Sequence, residues 1–285
     1  SGNTDGKLTI NKKDLTISNI TANNKTYDGT TTATLSNIGT LVGLVTGEDL
    51  VLNNPTSVIF SSKDVGDNIN VTATGYTIAD KDSFKASNYN LLDTSKTTTA
   101  NISKADLTAT LNDNSKTYDG TSYSGGNGIT FNGFVNGETA SLLGGNLVYS
   151  GTSQGAKDAG NYIISGSGLT SNNYNISFVD GKLTINKKDL TISNITANNK
   201  TYDGTTTATL SNIGTLVGLV TGEDLVLNNP TSVIFSSKDV GDNINVTATG
   251  YTIADKDSFK ASNYNLLDTS KTTTANIVAS VNPTP

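Results

Sequence analysis

The chain has 285 residues, a net charge of -6, and no His, Cys, Met or Trp, and all 19 of its basic residues are Lys. These absences remove the Ser-His-Asp and Cys-His machinery, zinc sites built on nitrogen and sulfur, and imidazole proton transfer near neutral pH, so carboxylates are the only catalytic equipment left. With no Arg and no basic run beyond Lys12-Lys13 and Lys187-Lys188, no nucleic-acid partner is expected, and no stretch approaches the ~20 apolar residues that insertion across a membrane as a helix requires.

In chain order the sequence reads as strands separated by Gly, Asn and Asp turns. Gly6-Lys7-Leu8-Thr9-Ile10-Asn11-Lys12 repeats Gly181 to Lys187, so residues 1–12 are expected to be the closing strand of a preceding module. A first module, 13–104, opens with Leu15, Ile17 and, after one slip, Ile20; further on Ile69, Val71 and Ala73 alternate with Asn and Thr. A second, 105–187, opens with Leu107, Ala109 and Leu111 alternating with Thr. The third, 188–277, restates the first, because Asp5 to Ile102 recurs unchanged as Asp180 to Ile277, 98 positions at an offset of 175. Residues 278–285 read as a tail or linker. Period-two alternation rich in Thr, Val, Ile and Tyr predicts half-buried strands throughout, and three Glu and one Gln leave little material for helices.

The modules share landmarks in one order. KTYDGT stands at Lys25 to Thr30, Lys116 to Thr121 and Lys200 to Thr205. A Val-x-Gly-Glu turn follows at Val45 to Glu48, Val135 to Glu138 and Val220 to Glu223, with Tyr-to-Glu separations of 21, 20 and 21. Lys-Asp-Val/Ala-Gly comes next at Lys63 to Gly66, Lys157 to Gly160 and Lys238 to Gly241, then Asn-Tyr-Asn at Asn88, Asn173 and Asn263. On these residues the first and third modules resemble the YDG domain. The middle one, ending Asn173-Tyr174-Asn175-Ile176-Ser177-Phe178-Val179-Asp180-Gly181-Lys182-Leu183-Thr184-Ile185, resembles the MBG domain, although it carries Tyr118-Asp119-Gly120 where that pattern more often has Tyr-Gly and then an acidic residue. Such domains occur in arrays in filamentous-haemagglutinin-like bacterial surface adhesins. The resemblance therefore implies an exported, cell-surface or matrix-associated stalk, acting in cell adhesion or biofilm formation.

The candidate residues are Tyr27, Asp28 and Gly29, Tyr118, Asp119 and Gly120, and Tyr202, Asp203 and Gly204, with Tyr89, Tyr174 and Tyr264 of the Asn-Tyr-Asn landmarks. They read as a structural motif: a core-anchoring Tyr before an Asx turn, with Gly supplying positive φ. No catalytic residue is expected, since Glu48, Glu138 and Glu223 come one per module and read as solvated carboxylates at turn edges, whereas glycoside hydrolysis needs a second carboxylate ~5 to 10 Å away. No cofactor or metal is expected either. Structural calcium is the one ion whose ligand type is present, but Asp64 with Asp67, Asp80 with Asp82, and Asp158 are spaced unlike a calcium loop. Nor does an apolar frame surround a Glu in the way a Lys-to-Asn isopeptide bond requires.

The expected fold is all-β: three tandem antiparallel β-sandwich or open-barrel modules, end to end as a rod. The junctions, at Ile102 to Leu107 and Ile185 to Leu190, contain no Gly or Pro and are expected to be extended, with Ile102 packing near Leu107 and Ile185 near Leu190. Not an enzyme, the chain is expected to be a monomeric spacer. Its partners are neighbouring repeats of the same chain, and a surface glycan or matrix component is reached through a tip outside this sequence. The alternative is a carbohydrate- or matrix-binding module that stacks exposed Tyr side chains on sugars.

Overall fold

The computed structural model describes residues 2 and 4–281, so the expected tail lies outside the described residues from 282 on, as do residues 1 and 3 of the expected first strand. Among the described residues, all regular structure is β-strand apart from three short 3-10 turns. Packing divides the described residues into two compact units that do not follow the repeats: one holds those up to 110 with 130–147 and 168–179, the other 111–129, 148–167 and 180–281.

In the first unit, alternation places Leu15 and Ile17 of the opening strand Lys13–Ser18 in the interior. Each contributes about 1.5 to 3 kcal/mol by leaving water. The slip before Ile20 has a local cause, Asn19, whose φ of 59° turns the chain in a region that Asn tolerates. Lys13–Ser18 is the centre of a three-stranded sheet, parallel to Tyr89–Leu91 and antiparallel to Thr40–Val42. A four-stranded sheet runs Lys25–Thr26, Ser95–Ser103, Gly66–Thr74, Ser57–Phe60, in which the closing strand Ser95–Ser103 is parallel to the first and antiparallel to the third. One residue, Lys104, separates this closing strand from Ala105–Leu111, which runs parallel to Tyr174–Val179. The apolar interior is continuous through that connection: Tyr27, Phe60, Val71 and Ile102 share a cluster with Ala105, Leu107 and Tyr174.

The second unit repeats this design. Lys188–Ser193 lies between Thr215–Val217 and Tyr264–Leu266, and Ser270–Val278 between Lys200–Thr201 and Gly241–Thr249. The closing strand of the middle module, Gly181–Asn186, pairs with Asn114–Thr117 in parallel and with Gly160–Thr170 in antiparallel fashion. Lys187 alone separates it from the next opening strand.

The fold is thus all-β with open, curled sheets, as expected, but the pairing is mixed instead of wholly antiparallel. Alternation of side chains has a period of two in either direction, so it carries no information on strand direction. The parallel pairs arise because strands far apart in sequence return along the same direction after a long crossover.

Candidate functional site: the joint between modules

KTYDGT builds a rigid platform for its tyrosine. Asp28 Oδ1 accepts the Thr30 backbone N–H at 2.9 Å and its hydroxyl at 2.8 Å, an Asx turn that Gly29 completes at φ +75°. Lys25 Nζ donates to the same carboxylate oxygen at 2.7 Å and to the carbonyls of Thr30 and Thr32 at 2.8 and 2.9 Å, and lies over the Phe60 ring. The middle and last copies repeat the turn, with Asp119 and Asp203 accepting Thr121 and Thr205 at 2.9 Å and Gly120 and Gly204 at φ +75° and +76°. Held by Lys and Thr donors, Asp119 and Asp203 are pushed down to about 2.

The glutamate turn is a second platform. Glu48, Glu138 and Glu223 N–H each close on the carbonyl of the Val three residues earlier. Gly47 alone carries the positive φ, 87°, in Val45 to Glu48, while Asn136 and Gly137 share it, at 51° and 72°, in Val135 to Glu138; these are the patterns of type II and type I′ turns. In each module the tyrosine of Asn-Tyr-Asn reaches this turn, accepting the Val N–H and donating to Glu Oε2. Tyr174 does so to Glu138 at 2.5 Å and Tyr264 to Glu223 at 2.6 Å, and Tyr89 makes the same bond to Glu48.

The two platforms meet within each compact unit. Tyr27 of the first module donates to Glu138 Oε1 of the middle module at 2.6 Å, and its ring stands edge-on to Tyr174 at 5.5 Å and 81°. Tyr118 of the middle module donates to Glu223 Oε1 of the last at 2.7 Å, edge-on to Tyr264 at 5.4 Å and 75°. A second pair of contacts flanks each carboxylate. Asn173 donates to Asp64 at 2.9 Å and accepts the Val65 N–H at 3.0 Å; Asn263 donates to Asp158 at 3.0 Å and accepts the Ala159 N–H at 2.7 Å. The supporting lysine differs. Lys63 reaches Glu138 and the Tyr27 hydroxyl at the first joint, and Lys260 reaches Asp158 at the second.

These environments shift the titrations. Burial raises Tyr27, Tyr118, Tyr174 and Tyr264, and the facing carboxylate adds to it, pushing Tyr174 and Tyr264 up to about 12. For Glu138 burial favours the neutral acid, but donation from Tyr174, Tyr27 and Lys63 outweighs it and holds the carboxyl below its ordinary value. A carboxylate with one tyrosine hydroxyl on each oxygen is built to hold two modules together.

A family model for the YDG domain matches residues 11–100 and 186–275, and one for the MBG domain (YGX type) matches 107–184. The chain belongs to the YDG-domain family. No curated protein matches it. In these terms the joints run from a YDG module to an MBG module and from an MBG module to a YDG module.

Of the residues singled out in the sequence, the structure brings together Tyr27 with Tyr174 and Tyr118 with Tyr264. Tyr89 stands with Glu48 inside the first YDG module. Tyr202 of the last YDG module is 41% exposed, and Asp203 and Gly204 beside it are exposed as well. Two of the glutamates correct an expectation: Glu138 and Glu223 are not solvated turn edges, since each accepts two tyrosine hydroxyls and the Glu138 side chain is only 10% exposed. Asp64 and Asp158, weighed as calcium ligands, instead accept from the asparagines of the next module. A sequence signal for this existed: glutamate occurs three times in 285 residues, each time 20 or 21 positions beyond the YDG tyrosine.

Proposed function

We propose that this chain is a run of stalk repeats from an exported bacterial surface adhesin, a non-enzymatic spacer that displays a distal adhesive tip in adhesion or biofilm formation. The observation that carries the reading is the joint itself. The same Tyr–Glu–Tyr and Asp–Asn contacts lie at both joints, so where two modules adjoin, the residues that recur from module to module connect them. YDG and MBG domains are compatible with adhesin-type repeats. The carbohydrate-binding alternative draws on exposed tyrosines, and of the eleven in the chain Tyr202 alone is exposed, the others being buried or half-buried.

Small-angle scattering tests the spacer. Set end to end, three modules of about 12 strand residues each would give a rod of roughly 120 Å and a radius of gyration of about 35 Å, against ~19 Å for a compact globule of this length. A value near the smaller figure would remove the proposal.

A further inference from the structure

The two joints connect opposite module types, yet their geometry is the same. Tyrosine to Glu Oε1 is 2.6 and 2.7 Å, the second tyrosine to Oε2 is 2.5 and 2.6 Å, and the Asn-to-Asp bond is 2.9 and 3.0 Å. Each joint therefore has a Tyr face, made by the Tyr-Asp-Gly turn and the Asp of Lys-Asp-Val/Ala-Gly, and a Glu face, made by the Val-x-Gly-Glu turn and Asn-Tyr of Asn-Tyr-Asn. The YDG module presents its Tyr face through Tyr27 and its Glu face through Glu223, and both are seated. Because residues 5–102 and 180–277 are identical, the same two faces occur again at Glu48 and at Tyr202.

At those places the faces have the seated architecture without the cover. Tyr202 is 41% exposed where Tyr27 is 2%, and Val240 is 53% exposed where its copy Val65 is half-buried. Gly29 approaches Asn136 so closely that an added Cβ would stand 2.8 Å from the Asn Cβ, whereas the nearest atom to the same position at Gly204 is the Tyr202 hydroxyl, 4.0 Å away. On the Glu side, Tyr89 already donates to Glu48 Oε2, the oxygen its counterparts use in the seated joints, and Asn88 is exposed where Asn263 is 2% exposed.

We propose that the joint is one interchangeable connector, and that the face around Tyr202, Gly204 and Asp239 is a docking surface for the Glu face of a further module of either type. A YDG module following a YDG module, a pair not present in this chain, forms the same Tyr–Glu–Tyr contact. The partner is defined by its chemistry: a glutamate already bound through one oxygen by a tyrosine, and an asparagine placed to take the Asp239 carboxylate and the Val240 N–H. The connector is defined by the two seated joints and is independent of where the array is displayed.

The test extends the full chain by repeating residues 103, 104 and 188–277 after Ile277, and follows nitration of Tyr202 by tetranitromethane. A Val226→Ile change serves as a mass tag, since the peptides around Tyr27 and Tyr202 are otherwise identical, and persistent protection of Tyr118 reports that the fold is intact. Tyr202, 41% exposed, is expected to nitrate readily in the parent chain. In the extended chain its nitration is expected to slow about tenfold or more, as when docking holds for about nine-tenths of the time, and changing the appended copy of Glu223 to Ala restores it. Unchanged nitration of Tyr202 in the extended chain, or protection that survives loss of that glutamate, would overturn the proposal while leaving the scattering result for the spacer untouched.

Discussion

Glu138 receives a phenol on each carboxylate oxygen and an ammonium beside one of them, and this sets how the first joint responds to pH. Its carboxyl is held below the ordinary value, so its contribution is complete above the usual glutamate range and is lost as the pH falls through the lowered pKa. Tyr174 and Tyr264 are pushed the other way, up to about 12. Their contribution is complete below the free phenol value of ~10 and disappears as the pH rises from there to about 12. Phenolate absorbance, free of tryptophan interference here, is expected to titrate in two phases, the later one coinciding with loss of β circular dichroism; a single phase near ~10 would contradict the joint. The identical repeats add an internal control. Tyr27→Phe deletes a hydrogen bond to a carboxylate and is expected to cost about 1.5 to 3 kcal/mol, while Tyr202→Phe, the same change in the same local sequence, is expected to stay within about 0.5 kcal/mol of the parent. Urea unfolding of the two variants compares them directly. Tyr118→Ala, which removes a ring only 3% exposed, is expected to cost about 3 to 5 kcal/mol.

Strands and turns carry a cost of their own. Tyr76 and its copy Tyr251 are 2% exposed, and among the described residues their hydroxyls have no hydrogen-bond partner. Each packs beside an opening-strand isoleucine, Ile17 or Ile192, in a cluster otherwise apolar. A buried hydroxyl without a partner loses its hydration with nothing in return, so Tyr76→Phe and Tyr251→Phe are each expected to raise stability by about 1 kcal/mol. Thermal melting checks this, and a fall in melting temperature would mean that the hydroxyls are satisfied in solution. The strand pattern was readable at this scale, down to the slip at Asn19. Strand direction was not, because Lys13–Ser18 would alternate in the same way beside a parallel or an antiparallel neighbour.

Across the chain, alternation of module types has a folding consequence. Two identical modules placed side by side can exchange equivalent strands, and the closing strands Ser95–Ser103 and Ser270–Val278 share their sequence up to the last residue. Deleting 105–187 makes the two YDG modules neighbours while leaving a Tyr face opposite a Glu face. Refolding of the shortened chain is expected to yield more strand-exchanged oligomer than refolding of the full chain, as measured by size-exclusion chromatography. Equal yields of monomer would show that the MBG module does not serve to separate the copies.

The amino-acid sequence by itself determined the β class, the repeat, the turn chemistry of KTYDGT and the absence of imidazole and thiol chemistry. Each of these is local or compositional: a period of two, a positive φ at Gly29, an Asx bond across two residues. What only the tertiary structure decided is the purpose of the shared landmarks. Tyr27 and Glu138 are 111 positions apart, and Asp64 and Asn173 are 109 apart. Such a pairing depends on how one module's last strand delivers the next module's turns, through a single residue at Lys104 or Lys187. Viewed one module at a time, Tyr reads as core and Glu as surface; only when the neighbouring module covers both does their burial become a bond between modules.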